Sequence, residues 1–224
     1  MIRYPYVRLS KPLTDPQQTG GETVVLIEDD ALVLRVQDGD NGAFEILVNR
    51  YRSALVGFFI KNTRDRELAE DLAQETLLRV YKQAWNYLPR GRFRAWMYRI
   101  ARNLIIDSFR RRSHDALVKA SATRGGDEDN DPLMRVAGVG LTPEQKADQH
   151  ELATIVDEEL KKIPEDQRLT FTMHHYCGLT LSEIADVMDT SIPTSKSRLR
   201  LTREKLVDAL ARRGIKNPNL PEEE

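Results

Sequence analysis

The sequence predicts an all-α protein made of two small helical domains joined by a flexible linker. Apolar residues recur at spacings of three and four residues through most of the chain, which is the period of helices that bury one face. Residues 113–141 interrupt this pattern with glycines, clustered acids and few aromatic residues, as is typical of a linker. A chain of 224 residues with 40% hydrophobic content can fill a small core on each side of that linker.

The predicted parts follow one another in a simple order. They are an irregular N-terminal extension over 1–28, a first domain over 29–112, the linker over 113–141, a second domain over 142–213 and a tail over 214–224. The linker can span on the order of 100 Å when fully extended at about 3.3 Å per residue. We therefore expect it to tether the domains without fixing their spacing.

The first domain is predicted to contain four helices. Asp29 or Asp30 can cap the first helix, and the second and third each have one apolar face. A loop over 86–92 precedes the fourth helix. The predicted ranges are 31–37, 43–61, 65–85 and 93–112.

The second domain is predicted to begin with two helices. Thr142 can cap the first, which has Pro143 in its first turn and ends at Ile163 before a second proline. The next helix is predicted over 165–176, and Gly178 ends it.

Two more helices complete the second domain. A capping box from Thr180 to Glu183 opens a short helix, and a basic helix begins after Ser191 and tolerates Pro193 in its first turn. A short helix, a tight turn and a basic helix are typical of a helix-turn-helix. Isolated helical hairpins with basic surfaces are also common, so the pattern alone leaves that alternative open.

Charge is concentrated in two segments rather than spread over the chain. The formal net charge is −1, while basic residues cluster in Arg90–Arg112 and in Lys196–Arg213. A protein without an overall basic field is not steered onto DNA at long range. We therefore expect the chain to bind DNA poorly by itself.

The sequence also predicts a cytoplasmic location. Cys177 is the single cysteine, which excludes an intramolecular disulfide and suits a reducing compartment. The N-terminus lacks the apolar segment of a signal peptide, and no run approaches the roughly 20 apolar residues of a membrane span. Direct membrane insertion is therefore not expected.

The segment Trp85–Arg112 combines many arginines with aromatic rings. Arginines neutralise phosphates and aromatic faces stack on unpaired bases, so this composition favours contact with opened nucleic-acid strands. The alternative is an amphipathic helix with Trp96, Ile100 and Leu104 in its core and arginines that are only solvated. That alternative explains the apolar spacing but not the excess of positive charge over the single acid, Asp107.

The outer face of the third predicted helix carries Asp71, Gln74, Glu75 and Arg79. These four residues, here called the α3 ridge, could dock a basic partner helix or could simply be solvated. The pattern does not decide between the two. Asp71 and Glu75 are not accompanied by a His, a Cys or a glycine-rich phosphate loop, so an enzyme is not expected.

His174, His175 and Cys177 are close enough in the sequence to suggest a metal site. A fourth ligand is missing, and a lone cysteine is usually a small core residue. The sequence therefore predicts neither a metal nor a cofactor.

Taken together, these residues resemble the extracytoplasmic-function (ECF) sigma factors, the minimal two-domain members of the sigma-70 family of bacterial RNA polymerase subunits. The resemblance covers about 31–112 and 142–210. It rests on the strings Gly39–Asp40, Ala43–Phe44, Ala69–Glu75, Phe93–Asn103, Asp107, Arg110–Arg111, Ile163–Arg168, Gly178–Thr180, Glu183–Ala185, Thr194 and Lys196–Leu199.

The resemblance implies that the first domain is sigma region 2 and the second is region 4. The α3 ridge would dock the clamp helices of a large subunit of core RNA polymerase. The residues that would melt the −10 promoter element and hold a flipped base are Trp85, Asn86, Tyr87, Arg90, Arg92, Phe93, Trp96, Arg99, Asn103, Asp107 and Arg111. The residues that would contact the −35 element are Thr194, Ser195, Lys196, Ser197, Arg198, Arg200 and Arg203. Further implied features are contact with the polymerase flap, an anti-sigma factor and a role in a stress or envelope response.

Three features depart from the family pattern. The last helix opens with Pro193–Ser195 where Gly-Thr-Val is common, Leu201 replaces a residue that is often basic, and the extension over 1–28 is longer than a minimal member needs. A rival interpretation is a self-sufficient helix-turn-helix regulator that binds duplex DNA without polymerase. An RNA-binding helical protein fits less well, because no RNA-binding fold signature occurs.

Overall fold

The structure is a computed structural model that describes residues 28–120 and 154–215, with side chains described as far as Arg112 in the first range. Most of the predicted extension, most of the predicted linker, the helix start at Thr142 and the chain after Ile215 lie outside the described residues. Within the described ranges, the secondary structure is helical and contains no strand.

The first unit contains four α-helices and one short 3₁₀ turn. They are α1 Asp29–Gln37, α2 Asn41–Thr63, α3 Arg66–Gln83, the 3₁₀ turn Ala84–Asn86 and α4 Phe93–Ala120. Side-chain caps fix two of the starts: Asp40 accepts from the Ala43 amide at 3.1 Å and Asp65 accepts from the Leu68 amide at 2.9 Å.

Two of the predicted helix ends in this unit are corrected. Asp29 and Asp30 do not cap α1; they lie in its first turn, after the N-cap residue Glu28. Their carboxylates bind other elements instead. The fourth helix was expected to end near Arg112, but α4 continues to Ala120, into the segment predicted as linker.

Over the described residues 154–215, the second unit contains four helices. They are α5, which covers the described residues 154–160, followed by α6 Glu165–His175, α7 Leu181–Met188 and α8 Ile192–Arg212. The capping box predicted at Thr180 and Glu183 is confirmed, with both of its hydrogen bonds present. The cap at Ser191 is also confirmed, since its hydroxyl accepts from the Thr194 amide at 3.2 Å. Pro193 lies in the first turn of α8, as expected.

The two units share part of one hydrophobic core. Phe171, Leu199 and Leu206 lie in a core within the second unit. Met173 and Ile184, by contrast, belong to the cluster that fills the first unit. α7 packs against α4, and α6 packs against α2. None of the described helices is long and apolar enough to cross a membrane.

Candidate nucleic-acid interfaces

One face of α4 and the residue before it carries polar and aromatic side chains outward. Arg92, Arg99, Asn103 and Arg110 are exposed, and Trp96 is half-buried among them. Their spacing of three, four and seven residues places them in one stripe along the helix. This α4 stripe brings together the basic and aromatic residues that the sequence singled out as a surface for opened strands.

The structure corrects two residues of the predicted −10 surface, Tyr87 and Phe93. Tyr87 is 6% exposed and Phe93 is 2% exposed, so neither ring faces solvent. Both pack against Trp96, with ring centroids 4.8 Å and 5.9 Å from it. They support Trp96 from beneath instead of presenting their own faces. Sequence spacing does not separate these roles, because the rings around the loop all lie close to arginines.

The hydroxyl of Tyr87 donates a hydrogen bond to the carboxylate of Asp30 at 2.7 Å. Burial, with the hydrogen bond to Asp30 as a further cause, raises the pKa of Tyr87 well above its usual value. Tyr87 therefore stays a neutral donor at physiological pH.

The loop before α4 exposes a second group of predicted residues. Trp85 is 53% exposed, and Asn86 and Arg90 are also exposed. Leu88, at 62% exposed, is an apolar residue of this loop that the sequence analysis did not single out. Two large exposed side chains within four residues, a tryptophan and a leucine, are a signal that only the structure supplies.

Three arginines of the α4 region bind the second unit. Arg92 forms an ion pair with Asp186 of α7, and Arg99 donates to the backbone carbonyl of the same residue. Arg94 donates to the carbonyl of Cys177. The beginning of the α4 stripe is therefore in contact with the helix-turn-helix unit.

The far end of the α4 stripe makes local contacts. Asp107 forms an ion pair with Arg110 at 3.0 Å, and Arg111 lies 3.4 Å from the Asp107 carbonyl. Arg112 pairs with Asp65, the cap of α3, at 2.6 Å. Asp107 thus orients arginines at this end and does not stand free toward a ligand.

The α3 ridge lies on the outer face of α3, where the sequence predicted it. Asp71 and Gln74 are exposed, while Glu75 pairs with Arg79 at 2.7 Å. Leu78, one turn beyond Gln74, is 42% exposed and adds an apolar contact that the sequence analysis missed. Its spacing from Asp71 and Gln74 would have placed it on the same face.

The exposed face of α8 displays Thr194, Lys196, Ser197 and Arg200. In the part of the chain that the structure describes, the ion pair of Arg200 lies within its helix, with Glu204. We call these four residues the α8 face. They form the outer side of the second helix in a helix-turn-helix, where base contacts are made in this motif.

The structure corrects Ser195 and refines Arg198 and Arg203. Ser195 is 0% exposed, and its hydroxyl has no hydrogen-bond partner among the described residues. Because it is one turn before the buried Leu199, it faces the core and not the groove side. Arg198 pairs with Asp166 at 2.6 Å, and Arg203 donates to His175 at 3.3 Å.

The His and Cys residues of the second unit have structural contacts. His174 lies 2.9 Å from the Leu179 carbonyl through Nδ1. Burial lowers the pKa of His175 to about 3, with smaller contributions from Arg203 and His174. Burial raises the pKa of Cys177 to about 12. Among the described residues, no group of three or more His, Cys, Asp or Glu side chains is placed to hold a metal ion.

Comparison with known families gives a match in each unit. Residues 47–114 match the family Sigma-70 region 2, and residues 153–206 match Sigma-70, region 4. The RNA polymerase sigma-H factor of Pseudomonas aeruginosa is 31% identical over 186 residues, which is 82% of this chain and 94% of that protein. The chain belongs to the ECF sigma factors. Sigma factors are DNA-recognition subunits, not enzymes, and this one directs transcription initiation with core RNA polymerase and promoter DNA as its partners.

Other relatives agree with this assignment. The ECF sigma-E factor of Haemophilus influenzae is 30% identical over 182 residues, covering 80% of this chain and 93% of the relative. Among solved structures, CnrH in complex with the cytosolic domain of CnrY has a TM-score of 0.60 and 20% identity, covering 83% of this chain and 99% of that one. The sigma factor RpoE in complex with the anti-sigma factor NepR from Bartonella quintana also has a TM-score of 0.60, with 21% identity, 75% of this chain and 96% of that one covered. At these identities the structural likeness shows the fold alone.

Proposed function

We propose that this sigma factor divides promoter recognition between the α4 stripe and the α8 face. The observation that carries the proposal is that each sigma region places a basic helix surface outward, and that the two surfaces differ in chemistry. The α4 stripe includes Trp96, and the 3₁₀ turn earlier in the chain exposes Trp85, whereas the α8 face has no aromatic ring. Aromatic faces suit unpaired bases, and a polar helix face suits the major groove.

At the −10 element, Trp96 and Asn103 are the side chains that we assign to an extruded base. Trp96 can stack on it, and Asn103 can donate and accept hydrogen bonds two helical turns further along. Arg99 and the exposed loop residues Trp85 and Arg90 are placed to follow the strand backbone. Tyr87 and Phe93, which are buried, keep a supporting role.

At the −35 element, Lys196, Ser197 and Arg200 are assigned to the groove side of α8. We assign Thr194, in the first turn of α8, to a phosphate contact, since helix N-termini favour anions. Arg198 is held by Asp166, so its main role is to fix α8 on its own unit. Arg203 is placed toward the phosphates.

Polymerase docking is assigned to the α3 ridge together with Leu78. Asp71 and Gln74 are exposed next to an apolar side chain, a combination that suits a specific protein contact better than solvation alone. The test is the double substitution Asp71→Lys, Glu75→Lys. It should weaken binding to core polymerase while circular dichroism stays unchanged, because both residues lie on the outer side of α3.

The matched control for this experiment is Glu45→Lys, which changes an exposed acid on α2. It should leave core binding intact. Normal assembly of the double variant with polymerase would remove the docking assignment.

We also infer that promoter binding requires core polymerase. Arg92, Arg94 and Arg99 hold the start of the α4 stripe against the second unit, so binding of DNA by these side chains competes with contacts inside the chain. Polymerase binding would separate the units and set the spacing of the two DNA surfaces, which removes the entropic cost of arranging both at once.

Footprinting of a promoter with the chain alone, core polymerase alone and both together tests this requirement. Protection should appear only with both. Tight, sequence-specific protection by the chain alone would instead favour a self-sufficient helix-turn-helix regulator that binds duplex DNA.

Two further assignments follow from the relatives and structural neighbours of this chain. Related sigma factors have been solved with protein inhibitors, and we propose that an anti-sigma factor also holds this chain inactive. We propose that it acts in the cytoplasm with polymerase and has no catalytic activity of its own. A purified one-to-one complex that no longer binds core polymerase would establish the inhibitor.

A further inference from the structure

Helix α1 holds the loop that precedes α4 at both ends. From the first turn of α1, the Asp30 carboxylate accepts from the Tyr87 hydroxyl at 2.7 Å and from the Gly91 amide at 2.5 Å. From the last turn, the Gln37 amide donates to the carbonyls of Ala84 and Tyr87 at 2.8 Å and 2.9 Å. One short helix therefore fixes the entry and the exit of this loop.

These bonds act on a segment without regular secondary structure, residues 87–92, in which Leu88 is 62% exposed. Further contacts lie at its ends, where Tyr87 packs against Trp96 and Arg92 pairs with Asp186. Gly91 has φ +68°, a left-handed conformation that glycine adopts without strain, and this turns its amide toward Asp30. Hydrogen bonds to a charged acceptor are stronger than neutral ones, so Asp30 is a firm anchor for the loop.

The neighbouring acid Asp29 has a different role. Its carboxylate binds Arg50 and Tyr51 of α2, so it attaches α1 to the body of the first unit. Successive residues on a helix point about 100° apart, which explains why adjacent aspartates reach different elements. Attachment of α1 and restraint of the loop can therefore be separated by substitution.

We propose that Asp30 and Gln37 are positioning residues for base selection at the −10 element. They hold Tyr87 and the loop that begins with it in place. Tyr87 in turn packs against Trp96, with ring centroids 4.8 Å apart. A loop and ring fixed in this way present one pocket shape to an extruded base, whereas a loosened loop accepts several bases. The inference rests on the proposed function of the α4 stripe and loop in base capture.

The experiment uses the full chain bound to core polymerase. Binding is measured to single-stranded oligonucleotides in which each −10 position carries each of the four bases in turn, built on a promoter that the wild-type holoenzyme transcribes. At the most selective position, Asp30→Asn should reduce the preference by about tenfold, within the range that one good base contact supplies. Tyr87→Phe and Gln37→Met should reduce it in the same direction, with core affinity unchanged.

The matched control is Asp29→Asn, which loosens α1 from α2 but leaves the loop contacts in place. It should lower the melting temperature and keep the base preference. An equal loss of preference in Asp29→Asn would overturn the inference, because general loosening of α1 would then explain the effect. A wild-type preference that survives in Asp30→Asn would also overturn it. Absence of any preference in the wild-type holoenzyme would instead overturn base capture by the loop, and the inference with it.

Discussion

The α4 stripe and the α8 face are both basic helix surfaces, yet their arginines bind different parts of the chain. Arg92, Arg94 and Arg99 bind the other unit of the same chain. On α8, Lys196 is exposed and the ion pair of Arg200 among the described residues lies within its own helix. A basic composition thus says which surfaces can bind DNA, and the tertiary contacts decide which of their arginines also bind another part of the chain.

The contact between the units extends beyond the arginines. Lys61 of α2 forms an ion pair with Asp157 of α5 at 2.6 Å, and the two side chains are only 15% and 13% exposed. The Lys61 ammonium also lies 4.8 Å from the ring centre of Tyr176. Asn62 donates to the Thr172 hydroxyl at 3.2 Å. This nearly buried set, more than the exposed arginine contacts, holds the α4 stripe against the second unit.

The largest effect is expected for Lys61→Met, which should release the α4 stripe from the second unit and so remove the difference between the two DNA surfaces. Removal of one partner from a buried ion pair costs about 3–5 kcal/mol when the other charge stays buried. Separation of the units lets Asp157 regain water, so the variant should adopt an open arrangement. Small-angle scattering should show a larger radius of gyration, and the isolated chain should bind a single-stranded −10 oligonucleotide more tightly.

The control for this substitution is Lys162→Met. Lys162 also pairs with an acid, Glu159, but its side chain is 69% exposed and both residues belong to the second unit. It should change neither measurement. An unchanged radius in Lys61→Met would show that the buried pair does not hold the units together.

The next largest effect sharpens the comparison by testing what each surface recognises. Trp96→Ala should remove stacking worth about 1–3 kcal/mol and reduce permanganate reactivity of −10 thymines, while binding to a −35 duplex is retained.

Arg200→Ala should lower −35 affinity by about 1–3 kcal/mol and relax preference at one base pair. Arg212→Ala, an exposed arginine at the end of α8, serves as the control.

Normal promoter opening by Trp96→Ala would contradict the assignment of the α4 stripe. An equal loss of affinity for every −35 variant in Arg200→Ala would reassign that residue to a phosphate contact.

A smaller effect concerns the pH dependence of stability through His175, which accepts a hydrogen bond from Arg203. The pKa of His175 is lowered to about 3, so the unfolded state, with an ordinary value near 6.5, binds more protons between these limits. Stability is therefore highest above about pH 6.5 and falls as the pH drops toward 3. Between pH 7 and pH 5 the free energy of unfolding should fall by about 1–2 kcal/mol through this residue.

Urea unfolding of the full chain at both pH values measures this effect. His175→Phe keeps a ring against Phe171, whose centroid lies 4.4 Å from that of His175, but cannot titrate. It should lose this part of the pH dependence. An identical pH dependence in the wild-type chain and the variant would contradict a neutral His175.

The smallest effect is expected for Asp186→Asn. Its ion pair with Arg92 joins side chains that are 39% and 62% exposed, and exposed pairs contribute about 0–1 kcal/mol. The variant should bind a single-stranded −10 oligonucleotide only slightly better than the wild-type chain, and added salt should abolish the difference. Asp208→Asn, which removes the same charge from an exposed site on α8, should show no gain. A gain as large as that of Lys61→Met would place the main contact at Asp186.

Local sequence signals predicted the helices well where a cap was present. Asp65, the Thr180–Glu183 capping box and Ser191 each start a helix within a residue or so of the predicted position. Each of these signals acts between residues three positions apart, so it can be recognised without knowledge of the fold. The end of α4 was missed, because residues 113–120 carry no such stop signal.

The prediction of the polymerase-binding and DNA-binding residues was right in position for some residues and wrong for others. Asp71, Lys196 and Arg200 are exposed where their helix periodicity placed them. Tyr87 and Ser195 were assigned to DNA contact but are buried. Tyr87 lies in a loop, where no periodicity indicates an inner side, and Ser195 is a polar residue at a core position of its helix.

What the sequence by itself determined is the set of helices, the family and the segments that bear the DNA surfaces, because these depend on residues close together in the chain. The tertiary structure alone decided that arginines at the start of the α4 stripe bind the second unit, whereas Arg200 of the α8 face pairs within its own helix. That outcome depends on partners such as Lys61 and Asp157, which are far apart in sequence and meet only after both units have folded. The tertiary structure also decided the role of Asp30, whose carboxylate reaches a loop that no local pattern assigns to it.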